Sequence, residues 1–316
     1  MSINLAFLGC GFATRLHSKT LKSLKSGVRC FYASRDQQKA LVFNHEFNGN
    51  GHFASYEAAI HDARIDAVLV ATPPVSHLDL TLQALRAGKN VIVEKPPFLR
   101  AADFELIRQA QKETGRRVFV AENYFYKPLA GKLRELLKDE VIGEILFVQI
   151  NALKLQKTGN WRDDKQLSGG GALFEGGIHW INLIANLGLP VKAVRGLRPG
   201  NHDSFEKSML AVIEYENGAV GTLSYSWEVP MLLKGVQLSR IYGRHGVITL
   251  ESNGIFVLVT GARKKIIFPG LGDIAGYKGM WRDFLRALQT GEEPAMNLEV
   301  AQRDLQLVEA VYKSIR

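Results

Sequence analysis

Short apolar runs alternate with segments of helical spacing from the start of the chain as far as residue 122. Uninterrupted apolar runs are typical of strands that are buried on both faces of a parallel sheet. The predicted strands are Ile3–Leu8, Val28–Ala33, Ala67–Ala71, Val91–Val93 and Val118–Ala121. The predicted helices are Leu16–Leu24, Gln37–Phe47, Leu78–Ala87 and Ala102–Glu113. This alternation predicts an α/β domain with a doubly wound parallel sheet.

From residue 123 the pattern changes to strands that follow one another without long helices between them. The predicted strands are Ile145–Leu153, Lys192–Gly196, Ser208–Tyr215, Ala219–Trp227, Val236–Tyr242, Val247–Leu250, Ile255–Val259 and Lys265–Phe268. The predicted helices are Lys132–Lys138, Ile178–Leu187, Trp281–Gln289 and Leu298–Ser314. Hairpin signals such as Glu216-Asn217-Gly218 separate some of the strands. We therefore expect a first domain over residues 1–122 and a second, α+β domain with a mostly antiparallel sheet over residues 123–316.

Composition narrows the classes of partner. A chain of 316 residues, 46% of them hydrophobic, is long enough for two domains with real cores. The net charge of +9 would suit an anionic partner, but the basic residues are scattered and carry no nucleic-acid motif, so no nucleic acid is expected. No apolar run approaches the ~20 residues that cross a bilayer, so no membrane partner is expected. Cys10 and Cys30 lack metal-ligand spacing and are interpreted as reduced thiols, which predicts a cytoplasmic protein.

A glycine turn, Gly9-Cys10-Gly11-Phe12-Ala13-Thr14, follows the first predicted strand. The first glycine of such a turn permits the bend, and the second lets backbone N–H groups approach a pyrophosphate at the N-terminus of the next helix. The third position normally holds Gly or Ala, and Thr14 departs from that pattern. The strand before and the helix after favour a dinucleotide site at Gly9, Gly11, Phe12 and Ala13, with a purely structural turn as the alternative.

The next strand ends in Ser34 and Arg35, where a carboxylate would bind the ribose 2′-hydroxyl of NAD. A hydroxyl and a guanidinium suit a 2′-phosphate better, and Lys39 lies one helical turn further on. The expected cofactor is therefore NADP(H), with NAD(H) less favoured. In the alternative interpretation Arg35 is a solvated residue at the start of a helix.

Two further strand ends carry candidate cofactor residues. Thr72 and Pro73 form a stiff turn at the edge of the sheet where cofactors lie. His77 follows them, and it either hydrogen-bonds ribose or caps a helix. Glu94 and Lys95 come directly after a buried strand, at the edge expected to hold the nicotinamide half, and an ordinary surface lysine is the alternative.

The segments "GCGFAT", "ATPPVSH", "GKNVIVEKP" and "SGGGALFEGGIH" resemble, in that order, the glucose–fructose oxidoreductase / inositol dehydrogenase family, also called Gfo/Idh/MocA. The resemblance implies an N-terminal Rossmann domain and a C-terminal open sheet that forms subunit contacts, so a homodimer or homotetramer is expected. It also implies hydride transfer between a nicotinamide cofactor and a carbinol or carbonyl carbon of a sugar-like substrate. The family's EKP lysine matches Lys95, its helix histidine matches His179, and its usual Asp is Glu175 here.

Hydride transfer at a carbonyl carbon requires that an alkoxide is stabilised and that one proton moves. Lys95 is a compact cation suited to hold the oxygen, and His179 is the natural proton donor or acceptor near neutral pH. Glu175 lies four residues before His179, so on a helix the two share a face, and the carboxylate could orient the imidazole or take the proton itself. Metal binding by this pair and a buried structural histidine are the alternatives, and no metal is expected.

Several other residues complete the predicted site. Asn123 is expected at the nicotinamide end, and Trp161 and Arg162 at the cofactor or substrate. The residues expected to face substrate are Tyr124, Lys127, Trp161 and Tyr277, although Trp161 and Tyr124 could equally belong to a core or an interface. Two other functions remain open: a redox-neutral NAD-dependent glycosidase or lyase, and a cofactor-binding regulator without enzymatic activity.

Overall fold

The structure is a computed structural model that describes residues 2–159, 161–200, 205–231, 236–261 and 264–315, without the side chains of residues 163, 165 and 166. The chain divides into two compact units. The first unit contains residues 1–122 and 280–302, and the second contains residues 123–279 and 303–316. Within the described ranges, no helix has the length and apolar character needed to cross a membrane.

The first unit contains a parallel sheet of six strands. They are β1 (Asn4–Leu8), β2 (Arg29–Ala33), β3 (Gly51–Phe53), β4 (Ala67–Val70), β5 (Asn90–Glu94) and β6 (Val118–Ala121). Their order is β3-β2-β1-β4-β5-β6, so the direction of winding reverses between β1 and β4. In sheets of this topology, ligands bind outside the carboxyl ends of the strands at that reversal. All four residues of β4 are buried, as its apolar run predicts.

Five helices connect these strands. They are α1 (Phe12–Leu24), α2 (Gln37–Phe47), α3 (Tyr56–His61), α4 (His77–Arg86) and α5 (Asp103–Thr114). The carboxylate of Asp36 accepts the N–H groups of Gln38 and Lys39 and so begins α2. The sequence analysis did not predict β3 or α3, because three and six residues are too short to show a periodic pattern.

The second unit contains an eight-stranded sheet. Its strands are β7 (Ile145–Leu153), β8 (Val191–Leu197), β9 (Ser208–Tyr215), β10 (Val220–Ser226), β11 (Leu238–Gly243), β12 (Gly246–Glu251), β13 (Val257–Gly261) and β14 (Lys265–Ile267). Their order is β14-β13-β12-β11-β7-β10-β9-β8, and β7 with β10 is the one parallel pair among these described strands. The two sheets confirm the predicted fold class.

The remaining helices are α6 (Pro128–Lys138), α7 (Lys165–Ser168), α8 (Ile178–Ala185), α9 (Tyr277–Thr290) and α10 (Leu298–Lys313). One turn of π-helix, Leu173–Gly177, leads directly into α8. The sequence analysis interpreted that stretch as a loop entering a helix. The chain is helical there instead, and its glycines allow a close approach to neighbouring groups, as described below.

The break between the units at Glu122 and Asn123 lies where the sequence analysis divides the domains, but residues 280–302 do not follow that division. The sequence analysis assigned them to the second domain, and their contacts place them in the first. Phe284 packs on Phe119 of β6 with ring centroids 5.4 Å apart, and Arg117 donates a 2.7 Å hydrogen bond to the carbonyl of Ala287. Residues so far apart in sequence produce no local pattern from which their contact could be predicted.

Candidate functional site

The glycine turn joins the carboxyl end of β1 to α1, beside the neighbouring strand β4, where the direction of winding reverses. Gly9 has φ +113°, and a Cβ there would lie 2.7 Å from the carbonyl oxygen of Ala71, so only glycine fits this bend. Thr14 explains the departure from the usual glycine pattern. Its side chain is fully buried, and its hydroxyl donates a 2.5 Å hydrogen bond to the carbonyl of Gly9. The threonine therefore ties the first turn of α1 back to the bend.

Gly11 and the start of α1 fit a pyrophosphate. A Cβ at Gly11 would meet nothing within 4 Å, so neighbouring protein atoms do not require this glycine. The first turn of α1 contains no acidic residue, and Gly11 offers no side chain to cap the helix. The backbone N–H groups of Phe12 and Ala13 therefore belong to a helix N-terminus with a positive partial charge and an open approach.

Two exposed cationic side chains, Arg35 and Lys39, follow the end of β2. Ser34 is buried, and its hydroxyl accepts the backbone N–H of Asp36 at 3.2 Å, whereas Arg35 and Lys39 are exposed. Burial raises the pKa of Tyr56 in α3, and a hydrogen bond from Arg35 opposes that rise. Because Asp36 caps α2 and its other oxygen lies 3.7 Å from the Lys39 ammonium, both of its oxygens are engaged inside the protein. A hydroxyl and two cations suit a phosphate.

The turn after β4 is held by hydrogen bonds. The hydroxyl of Ser76 donates to Thr72 at 2.7 Å and lies 2.9 Å from the carbonyl of Pro73. His77 is buried, with Nδ1 2.9 Å from the carbonyl oxygen of Pro96 and Nε2 2.8 Å from that of Thr72. Burial lowers the pKa of His77. Because both ring nitrogens face carbonyls, the histidine joins two turns of the protein and offers neither nitrogen to ribose.

Lys95 is half-buried and follows β5, and its peptide bond to Pro96 is cis. Both oxygens of the neighbouring Glu94 carboxylate contact hydrogen-bonding groups of the first unit. Its Oε1 lies 2.6 Å from His17 Nε2, and its Oε2 accepts the backbone N–H of Lys95 at 3.1 Å. His17 in turn accepts a 2.9 Å hydrogen bond from Trp281 at Nδ1. The sequence analysis missed His17 and Trp281, because a single histidine or tryptophan on a helix resembles any other core residue.

In the second unit, glycines bring the helix that carries Glu175 and His179 close to its neighbours. A Cβ at Gly171 would overlap the Glu206 carboxylate, and one at Gly176 would overlap the Tyr225 hydroxyl. Burial raises the pKa of Glu206, which accepts the Leu173 N–H and a 2.8 Å hydrogen bond from Tyr312. The glycine-rich segment is therefore required for close packing of this helix.

His179 is half-buried and stacks on Tyr124, with ring centroids 4.3 Å apart and planes inclined by 13°. Lys127 is buried, and its Nζ lies 4.3 Å from the centroid of the Tyr124 ring. The structure thus brings together a titratable imidazole, a phenol and an ammonium within the second unit. Stacking on Tyr124 fixes the plane of the His179 ring. A general acid or base needs such a fixed orientation to exchange a proton with one particular group.

Glu175 is buried and belongs to the π-helical turn. Arg162 donates a 3.1 Å hydrogen bond to it, and the Arg162 guanidinium lies 4.5 Å from the centroid of the Trp161 ring. The charge of Glu175 adds to the burial that raises the pKa of Tyr225. The sequence predicts Trp161 and Arg162 at the cofactor or substrate, and the structure joins Arg162 to Glu175 and packs Trp161 against Arg162.

Asn123 and Tyr277 belong to one loop contact. The Asn123 amide donates a 2.6 Å hydrogen bond to the carbonyl of Ala275, and a Cβ at Gly276 would overlap the Asn123 carbonyl. Tyr277 follows immediately, half-buried at the start of α9. Across the described ranges, no group of three His, Cys, Asp or Glu side chains is arranged to hold a metal ion.

Residues 3–122 of the chain match the oxidoreductase family with an NAD-binding Rossmann fold, and residues 131–249 match the GFO/IDH/MocA C-terminal domain. Oxidoreductase P35 of Formosa agariphila is 30% identical over 192 residues, which are 58% of this chain and 60% of that protein, less than two thirds of its length. D-xylose 1-dehydrogenase (NADP(+)) 2 of Haloferax volcanii is 25% identical over 89% of this chain and 88% of its own.

A solved structure of levoglucosan dehydrogenase, in complex with NADH and levoglucosan, superposes with a TM-score of 0.87. The alignment covers 99% of this chain and 97% of that one at 20% identity. At that identity the likeness shows the shared fold.

Proposed function

Because this chain belongs to the Gfo/Idh/MocA family of NAD-binding oxidoreductases, we propose that it is an NADP(H)-dependent enzyme that interconverts a hydroxyl and a carbonyl group on a sugar-like substrate. The observation that carries the proposal is the turn at Gly11, which no neighbouring protein atom requires to be glycine and which opens onto an uncapped helix N-terminus. An anionic ligand explains both features.

Within the first unit, the backbone N–H groups after Gly9 and Gly11 would hold the pyrophosphate. Ser34, Arg35 and Lys39 would hold the 2′-phosphate, and Thr72 and Pro73 would line the nucleotide at the end of β4. The engagement of Asp36 as a helix cap supports NADP(H), because that carboxylate is occupied by two N–H groups of α2. One relative is named for NADP(+), and one structural neighbour was solved with NADH. The binding test must therefore include both cofactors.

A bound nicotinamide cofactor would supply the hydride chemistry, to or from the carbinol or carbonyl carbon of the substrate. Lys95 would hold the substrate oxygen and stabilise its developing negative charge. His179 would take the hydroxyl proton during oxidation and return it during reduction, so that the alcohol loses one hydride and one proton in total. Glu175 would receive or steer that proton, and its bond to Arg162 supports a role as an ionised carboxylate.

The substrate is proposed to be a sugar or a similar polyhydroxylated compound. Trp161 and Tyr124 offer the aromatic faces on which such rings pack, Arg162 and Lys127 offer donors, and Tyr277 adds a hydroxyl. Asn123 would support the nicotinamide end through the loop that it holds at Ala275. The names of the xylose and levoglucosan dehydrogenases support this substrate class.

The test begins with a fluorescence titration with NADPH and NADH, followed by turnover assays with D-xylose, D-glucose and levoglucosan. Tighter binding of NADPH and a change in nicotinamide absorbance with a sugar are expected. Product release without net absorbance change would identify the redox-neutral alternative. Tight cofactor binding without turnover across a wider sugar panel would identify the regulator, and binding of neither cofactor would refute the proposal.

We propose further that the second sheet forms a subunit contact. Its strands bury alternate residues, and the opposite face carries large apolar side chains: Phe147 is 52% exposed, Leu238 40% and Ile266 64%. Sedimentation at several concentrations tests this. A dimer or tetramer is expected, and replacing Phe147 with Glu should shift it toward monomer, whereas a monomeric wild type would refute the proposal.

A further inference from the structure

A buried chain of hydrogen bonds ends at the backbone of Lys95. Trp281 donates to His17 Nδ1 at 2.9 Å, His17 Nε2 lies 2.6 Å from Glu94 Oε1, and Glu94 Oε2 accepts the Lys95 N–H at 3.1 Å. The side chain of His17 is completely buried and that of Glu94 is 10% exposed. All of these residues belong to the first unit.

The donor at one end fixes the tautomer of His17. An indole nitrogen can only donate a hydrogen bond, so the Nδ1 atom that faces Trp281 must present its lone pair. The proton of the ring is therefore on Nε2, where it is donated to Glu94. Each oxygen of the carboxylate then accepts one N–H, from His17 and from Lys95.

We propose that His17 is a positioning residue for Lys95 and acts through Glu94, with Trp281 setting its tautomer. The inference rests on the proposed function, in which Lys95 holds the substrate oxygen. His17 lies on α1, the helix whose N-terminus would hold the pyrophosphate. The chain of hydrogen bonds thereby fixes the backbone of the lysine relative to the helix that binds the cofactor.

Four variants separate positioning from general stability. His17→Leu removes both hydrogen bonds at similar volume. His17→Gln is the conservative variant, because an amide can donate to Glu94 and accept from Trp281. Trp281→Phe removes the donor that sets the tautomer and leaves His17 beside Glu94. Ser18→Ala is the matched control, because Ser18 is the next residue of α1 and bonds the buried Tyr32 hydroxyl at 3.0 Å, on a path that does not reach Lys95.

The first readout needs no substrate. Hydrogen exchange of the Lys95 amide is followed in the cofactor-free protein, together with nitrogen NMR of labelled histidine. The Lys95 amide should exchange at least tenfold faster in His17→Leu and stay close to wild type in His17→Gln and Ser18→Ala. The NMR spectrum should show the Nε2–H tautomer in the wild type, and the Nδ1 resonance should shift in Trp281→Phe, because that variant removes the hydrogen bond to Nδ1. Unchanged exchange in His17→Leu, or an Nδ1–H tautomer in the wild type, would overturn the inference.

The second readout is turnover with NADP+ and D-xylose as the first probe. His17→Leu should lower kcat at least tenfold with little change in NADPH affinity, and His17→Gln should restore most of it. In a Lys95→Met background His17→Leu should cost nothing more, whereas an equal loss in both backgrounds would show a purely structural role. Full activity of Lys95→Met would refute the proposed function instead, and the exchange measurement would still decide the role of His17. If His17→Leu does not fold, His17→Phe takes its place in both readouts, with the same expected and overturning results.

Discussion

Alanine substitutions at the two glycines of the turn should have opposite consequences. Gly9 has φ +113°, and its Cβ would lie 2.7 Å from the Ala71 carbonyl, so Gly9→Ala strains the backbone and pushes β4 away. Gly11 has φ −126° and ψ −163°, an extended conformation that alanine adopts freely, and its Cβ would meet no protein atom within 4 Å. Gly11→Ala should therefore fold normally and place a methyl group where a pyrophosphate would approach.

The magnitudes follow from these two environments. A residue held at an unfavourable positive φ costs about 1–3 kcal/mol, so Gly9→Ala should lower the Tm by several degrees. Gly11→Ala should leave the Tm unchanged or raise it slightly, because alanine restricts the unfolded chain by about 0.4–1 kcal/mol. Losing one hydrogen bond to a charged group costs about 1.5–3 kcal/mol, so Gly11→Ala should weaken NADPH binding about tenfold to a hundredfold.

Thermal unfolding and NADPH fluorescence titrations of both variants measure these quantities. The decisive result is the separation of the two effects: stability lost at Gly9, and affinity lost at Gly11 with stability retained. If Gly11→Ala binds NADPH as tightly as the wild type, the turn does not hold the pyrophosphate. If Gly9→Ala is fully stable, the contact with Ala71 is not limiting and the steric reasoning is refuted.

Three further predictions follow from the site. Lys95→Met and His179→Asn should keep NADPH affinity and lower kcat by about a hundredfold or more, and near-normal kcat in both would contradict their proposed roles. Arg35→Ala should weaken NADPH binding about tenfold or more and leave NADH binding unchanged, and equal losses for both would argue against a 2′-phosphate contact. Burial raises the pKa of Glu206, so the folded state holds this proton more tightly than the unfolded chain, and its contribution to stability declines as pH rises from about 4.5. The Tm of the wild type minus that of Glu206→Gln should therefore fall as the pH rises above about 4.5, and a constant difference would refute the burial argument.

The elements with strong periodicity could be predicted from the sequence alone. The bounds of α2 (Gln37–Phe47) and β7 (Ile145–Leu153) agree with the prediction, since a cap or a long alternating pattern marks them. Partners distant in sequence could not be predicted. His17 and Trp281 are separated by 264 positions and meet through a hydrogen bond and an edge-on ring contact, which no local pattern encodes. The π-helical turn before α8 was not predicted either, because the Tyr225 hydroxyl, which leaves room only for glycine at position 176, lies on the distant strand β10.

The candidate site residues also divide into those that a local sequence pattern predicts and those whose contacts only the structure shows. The glycine turn could be recognised from the sequence because its geometry is local. The departure at Thr14 is explained only by the structure, in which the threonine hydroxyl donates to the carbonyl of Gly9. His77 has a sequence position that suits ribose, but the two carbonyls that occupy its nitrogens belong to Thr72 and Pro96. Sequence spacing can therefore bring a side chain to the right edge of a sheet without indicating which atoms it will meet.

The first unit consists of two separate segments of the chain, and this determines when the unit can be completed during synthesis. Residues 1–122 leave the ribosome before residues 280–302, which belong to the same unit. Until that late segment emerges, Phe119 lacks its partner Phe284, and His17 lacks the indole that fixes its proton. The nascent segment of residues 1–122 can form its parallel sheet early, whereas the final positioning of Lys95 must await residues 280–302. A fragment that ends at residue 122 should therefore be a poor substitute for the first unit, even though it contains every strand of the sheet.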